Sequence, residues 1–128
     1  MAEGSAAREK SRAFALRVVK SSRFLQSERK GYVLSKQLLR SGTAIGALIR
    51  EAEYAESRAD FVHKLHIALK EASETDYWIN LLCDSGYFNP EAGASLQADA
   101  EELIRLLAAI IKTTKTRSTW KPQLIVNN

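Results

Sequence analysis

The side chains with the widest chemical reach are His63, His66 and Cys83. Asp60 and His63 stand three residues apart, the spacing of the carboxylate–histidine pair that ligates metal in di-metal helical bundles, and His66 follows one turn later. Such a centre takes a second acid–x–x–His pair and further inward carboxylates. The chain has only 2 histidines, so half of that ligand set is missing, and both flank the Phe61–Leu65 apolar line instead of lying on it. They read as surface or boundary histidines with no metal. A reactive thiol needs an electropositive, partly open setting. Cys83 is followed by Asp84, which raises a thiol pKa, so it reads as a small apolar filler. No G-x-S-x-G, Walker A or G-x-G-x-x-G sequence occurs. Gly42-Thr43-Ala44-Ile45-Gly46 looks like a glycine-rich loop only in isolation, because it lies inside a continuous apolar stripe. The expectation is a non-enzymatic protein with no catalytic residues and no cofactor.

The basic residues offer more. Lys and Arg number 19 against 15 Asp and Glu, a net charge of +4, and the excess is unevenly placed. Residues 1–40 and 103–128 are strongly basic, and 51–102 is strongly acidic. Arg8, Arg12, Arg17 and Lys20 run along the first predicted helix, and Lys112 and Lys115 close the last one. In an antiparallel bundle those two ends meet, so the six residues can form one phosphate-attracting patch for RNA or DNA. Phosphate binding of this kind is independent of sequence and sensitive to salt. No aromatic residues interleave for single-strand stacking. Two other readings of the charge stand beside this one: basic and acidic faces that pair between subunits, or a solvated surface. The acids Glu51, Glu53, Glu56 and Asp60 gather at the second interhelical turn, where they oppose a helix dipole. Arg50, Arg58 or a neighbouring subunit should offset them, and a basic face on an acidic one is a heterologous contact that can close into a ring.

Four amphipathic helices position these residues, at about 6–25, 28–56, 58–85 and 90–115, followed by a tail over 116–128. Ala, Leu, Glu, Lys and Arg dominate, all good helix formers. In the first helix Phe14, Val18 and Leu25 share a face, interrupted by Ser21 or Ser22. In the second, Leu34, Leu38, Ser41, Ile45, Leu48, Ala52 and Ala55 step by four and three, the seam of a left-handed bundle. Gly42, Ala44, Gly46 and Ala47 around it admit a close neighbour. In the third, Phe61, Leu65, Ala68, Ala72, Thr75, Ile79 and Leu82 repeat that stepping. Ser57 and Asp60 supply its N-terminal cap, and Gly86 its stop. The fourth opens on Asn89-Pro90, a cap followed by a proline tolerated in the first turn. Its seam is Leu96, Ala100, Leu103, Leu107 and Ile110. The expected fold is all-α, an up-down-up-down antiparallel four-helix bundle.

The length of 128 residues and the apolar fraction of 45% suit one domain spanning 1–128 with its own core. No apolar run approaches the roughly 20 residues of a membrane span. The first ten residues are polar and charged, unlike a secretory signal. With one cysteine and so no internal disulfide, a cytoplasmic location is expected.

Glu28-Arg29, Leu34 and Gln37-Leu38-Leu39-Arg40-Ser41, continued by Ile45 and Glu51-Ala52, resemble the second helix of the proteins encoded in 23S rRNA intervening sequences. The run Asp60-Phe61, Lys64-Leu65, Ile67 to Ala72, Glu74-Thr75 and Tyr77-Trp78 resembles that family's most distinctive segment, and Phe14-Ala15 also fits. The resemblance covers about residues 11–112. The chain departs at Ala44 and Leu48, where members often carry Ser and Asn. Both are apolar here, which strengthens the seam and removes a buried polar pair. The resemblance implies a bacterial four-helix bundle assembling as a homopentamer, without catalytic residues. It also implies kinship with the accessory variability determinant of diversity-generating retroelements, which partners a reverse transcriptase and binds nucleic acid through a basic surface. The functional expectation is therefore an oligomeric bundle that binds RNA or DNA. The alternative is a protein adaptor, for example a reverse-transcriptase accessory protein, whose charge asymmetry serves ring assembly only.

Overall fold

Helix ends in this chain are set by local capping chemistry. The computed structural model describes the backbone of residues 2–117 and the side chains of residues 6–117. Within it run α1 (Ala2–Ser27), α2 (Tyr32–Ala52), α3 (Arg58–Asp84) and α4 (Pro90–Thr116). The Ser57 hydroxyl accepts from the Asp60 amide at 3.0 Å, and the Asp60 carboxylate accepts from the Glu56 amide at 3.2 Å. This reciprocal arrangement satisfies two donors that would otherwise be orphaned at the α3 N-terminus. Asn89 accepts from the Ala92 amide at 2.8 Å with Pro90 opening α4. Gly86 takes φ +84°, and the Tyr87 amide returns to the Leu82 carbonyl at 2.9 Å. That left-handed residue turns the chain out of α3 at no steric cost. Each side-chain cap should contribute about 1 kcal/mol. Ser57→Ala and Asn89→Ala are expected to lower unfolding free energy by that much each, and by the sum in the double variant, because the caps lie at opposite ends of α3 and are independent. Urea denaturation measures all three.

The second helix is shorter than 28–56. Lys30 takes φ 54°, and the Gly31 amide donates to the Leu25 carbonyl at 2.8 Å, so 28–31 form the α1–α2 turn. The amides of Tyr54 and Ala55 make i→i−3 bonds to Glu51 and Ala52, so α2 tightens and stops at Ala52. The first helix is longer than 6–25 and reaches Ser27. The expected tail lies outside the described residues, apart from Thr116 and Arg117, which end α4 and cap it.

Short turns reverse the chain three times. Each helix packs on its neighbours in sequence, α4 closes on α1, and the diagonal pairs do not meet. This is an up-down antiparallel four-helix bundle. The α3 seam is buried at all seven expected positions, Phe61 through Leu82, as is that of α4 from Leu96 to Ile110. On α2 the stripe departs from heptad spacing: Leu34 and Leu48 are half-buried, while Ile49 is 1% exposed. A straight helix of 3.6 residues per turn drifts about 20° per heptad, so past Ile45 the inward position moves on by one residue. Ala44 is half-buried too.

The polar gap in α1 is a hydrogen-bonded seam. Ser22 is buried, and its hydroxyl donates to the Ser35 carbonyl of α2 at 3.3 Å. Beside it Val18 lies over Gly42, where a Cβ would stand 2.8 Å from both valine methyls. α1 and α2 can approach this closely only because Gly42 has no side chain. Among the described residues no helix is long and apolar enough to cross a membrane.

Candidate nucleic-acid interface

Arg8 and Arg12 lie one turn apart on α1, and Arg50 lies near the C-terminal end of antiparallel α2. Ala15, Gly46 and Ala47 between them have little or no side chain, so a groove of about 350 Å³ opens along the α1–α2 junction. Ser11 and Thr43 complete its lining, which among the described residues contains no carboxylate and no aromatic ring. Both hydroxyls donate to backbone carbonyls of their own helices, Ser11 to Arg8 at 3.1 Å and Thr43 to Leu39 at 2.7 Å. The groove's charge therefore comes from three guanidiniums, of which those of Arg12 and Arg50 are on exposed residues. A guanidinium presents a planar fork of donors suited to phosphate oxygens. Arg8 is steadied from behind: its guanidinium lies 3.9 Å from Glu53 Oε1, on a side chain only 5% exposed. Among the described residues that oxygen has no hydrogen-bond partner, so the ion pair with Arg8 compensates a buried charge.

The other basic positions are dispersed. Arg17 points to the opposite side of α1, where it donates to Asp99 at 2.5 Å and to Ser95 on α4. Lys10 makes a parallel bridge to Glu102 at 2.9 Å, and the carboxylate raises the lysine pKa. Lys20 lines a separate hollow with Phe24 and Phe88. Lys112 and Lys115 are exposed. The α1–α4 bridges set an antiparallel register that brings them to the Arg8 end of the bundle, on α4. Of the six residues singled out from sequence, the structure thus gathers Arg8 and Arg12 in one groove and adds Arg50. From sequence, Arg50 is expected to offset the acids of the α2–α3 turn. Its four-residue spacing from Gly46 was the available signal, since that places both on one helix face.

The acidic turn is offset largely within the chain. Lys64 bridges Glu51 at 2.9 Å, Arg8 faces Glu53, and Asp60 is spent on its cap. The segment carrying the family resemblance forms a clamp between α2 and α3. Arg40 pairs with Glu71 and Glu74, and the Trp78 indole donates to Glu74 at 2.8 Å. The indole bond, then Arg40, hold the Glu74 carboxyl below its ordinary value. Tyr77 stands edge-on to Trp78. His63 is exposed and His66 half-buried, and no group of three or more potential metal ligands converges among the described residues. Cys83 is half-buried at the α3–α4 contact, and burial, then Asp84, push its thiol pKa up.

Residues 3–109 match the profile of the 23S rRNA-intervening sequence protein family. The chain is also similar to a crystal structure from Bacteroides thetaiotaomicron, described as a protein of unknown function from the S23 ribosomal protein family. Identity is 52%, the match covers 86% of this chain and 98% of that one, and the TM-score is 0.85. No curated protein matches significantly. With the four-helix bundle and a profile match over residues 3–109 in agreement, this protein belongs to the 23S rRNA-intervening sequence protein family.

Proposed function

We propose that this protein is a non-enzymatic, self-assembling bundle that binds RNA or DNA by its phosphates, using the Arg8–Arg12–Arg50 groove. The observation that supports this reading most is the groove's lining: three guanidiniums around a hollow with no carboxylate among the described residues. The missing aromatic ring argues for backbone contact without base stacking, and so for weak sequence preference. Lys112 and Lys115 extend the positive end of the bundle, while Arg17 is engaged with Asp99 and contributes less. A ring of copies, five by family resemblance, would repeat the groove and multiply a weak site.

The family's name makes structured ribosomal RNA the first probe. Labelled rRNA hairpins and duplex DNA are titrated with nucleic-acid-free protein at several salt concentrations. Binding should weaken steeply with salt. Arg12→Ala with Arg50→Ala should weaken it for every sequence and reduce the log–log salt slope by roughly two for a duplex. Arg17→Ala should leave that slope nearly unchanged. Absence of binding at low salt overturns the reading and moves the function to the protein adaptor.

A further inference from the structure

The groove along the α1–α2 junction is chemically narrower than a basic surface. Ala15, Gly46 and Ala47 give its hollow of about 350 Å³ a floor of methyl groups and backbone. The hydroxyls in the lining are already committed as donors, Ser11 to the Arg8 carbonyl at 3.1 Å and Thr43 to the Leu39 carbonyl at 2.7 Å. The side-chain donors left for a ligand are guanidinium N–H groups. Of the three guanidiniums, Arg8 faces the buried Glu53 carboxylate at 3.9 Å. Among the described residues neither Arg12 nor Arg50 forms an ion pair, and both are exposed. Two uncompensated positive charges therefore share one small hollow.

A nucleic-acid strand offers two kinds of phosphate to such a site. An internal phosphodiester carries one negative charge and is tied to sugars on both sides. A terminal phosphomonoester carries about −1.5 to −2 at pH 7 and presents three strong acceptor oxygens. The terminal group matches two guanidinium forks in charge, and its three oxygens suit their planar donor pairs. Shape selects in the same direction. The hollow lies between two packed helices, whose axes are typically about 8–10 Å apart, a gap narrower than a nucleic-acid duplex. A strand that continues on both sides must lie along the rim, whereas a strand end can point in.

We infer that this groove is a receptor for the terminal phosphate of a nucleic-acid strand, with Arg12 and Arg50 clasping the phosphomonoester and Arg8, held by Glu53, closing one side. The inference rests on the reading of the groove as a phosphate site and adds that strand ends are preferred to continuous strand. Internal phosphates meet the same arginines only at the rim, more weakly.

The test uses one short RNA with an internal fluorescent label, prepared with a 5′-phosphate, with a 3′-phosphate, or with hydroxyls at both ends. Anisotropy titrations with the full chain at one near-physiological salt concentration give the three affinities. At least one phosphate-ended form should bind roughly tenfold tighter than the hydroxyl form, and the stronger of the two identifies the end that is read. Arg12→Ala with Arg50→Ala should remove that advantage, while circular dichroism melts stay as in wild type because both side chains are exposed. Ala47→Leu is the sharper variant. Ala47 is exposed on the groove floor, so leucine there fills the hollow and keeps every guanidinium. It should abolish the end advantage yet leave the affinity for hydroxyl-ended RNA, and its salt slope, unchanged; general attraction to one more negative charge would survive it. Equal affinities for the three RNAs, with steep salt dependence, overturn end recognition and leave the nucleic-acid reading standing. An end advantage that survives either the double arginine variant or Ala47→Leu overturns this groove as its receptor. No binding of any form at low salt overturns both readings.

Discussion

Leu65→Asp and Leu107→Asp are each expected to unfold this bundle at ambient temperature. Both leucines are 0% exposed and belong to the same core. An aspartate there is either buried charged without a partner or driven protonated, and each route costs several kcal/mol. The cavity left by the shorter side chain adds to the loss, about 2–5 kcal/mol for Leu→Ala. A domain of this size has only about 5–15 kcal/mol in total. The result is read as lost helical circular dichroism at 25 °C or a melt shifted by tens of degrees. Leu16→Asp is the internal control: Leu16 is 52% exposed on the outer side of α1, so its charge stays in water and stability should change little.

The second large effect is at Gly42. Replacing it with alanine favours the helix by about 1 kcal/mol, yet the new methyl would stand 2.8 Å from both γ-carbons of Val18. Valine is β-branched and holds one strongly preferred rotamer in a helix, so it cannot swing aside. Overpacking of this kind costs about 1–3 kcal/mol, and Gly42→Ala should be destabilising on balance. Gly42→Leu should be worse, prying α1 from α2. Val18→Ala in the same chain should recover much of the loss caused by Gly42→Ala, giving a strong coupling in a double-mutant cycle. Gly46→Ala should do the opposite of Gly42→Ala. Its nearest neighbour is Ser11 Oγ at 3.5 Å, an ordinary contact, so only the helical gain remains. Thermal and urea melts of the four alanine variants decide the matter.

These two cases mark what a sequence carries openly. The α3 seam was legible at every position because one amphipathic helix bounded by a serine cap and a glycine stop has a single way to bury its stripe. The α2 seam was legible at Leu38, Ser41, Ile45 and Ala52, and missed at Leu34 and Leu48. The choice between Leu48 and Ile49 depends on slow rotational drift against three neighbours, and periodicity alone does not contain it. The two ends of α2 were overextended for a related reason. Glu28 to Gly31 and Glu53 to Ser57 contain no proline, and the turns form through backbone bonds, such as Gly31 to Leu25 at 2.8 Å, that no side-chain pattern announces.

The site divides in the same way. The basic character of α1 and of the α4 C-terminus was visible from residue types, and so were the helix caps, the place of Cys83 at the end of α3 and the small residues around Gly42. What only the tertiary structure decided was how the charges are spent. Arg17 and Lys10 lie seven residues apart on one face of α1 and turn to Asp99 and Glu102 of α4, whereas Arg8 and Arg12 turn to α2 and meet Arg50. Both sets are arginine- and lysine-rich in one dimension. Which of them remains open to phosphate depends on the acids of the helix that packs alongside, and those acids lie some 80 to 90 residues away in the chain. Local pattern determines the helices and their buried stripes because these obey short-range periodicity. The open groove exists only once non-local packing has paired off its rivals.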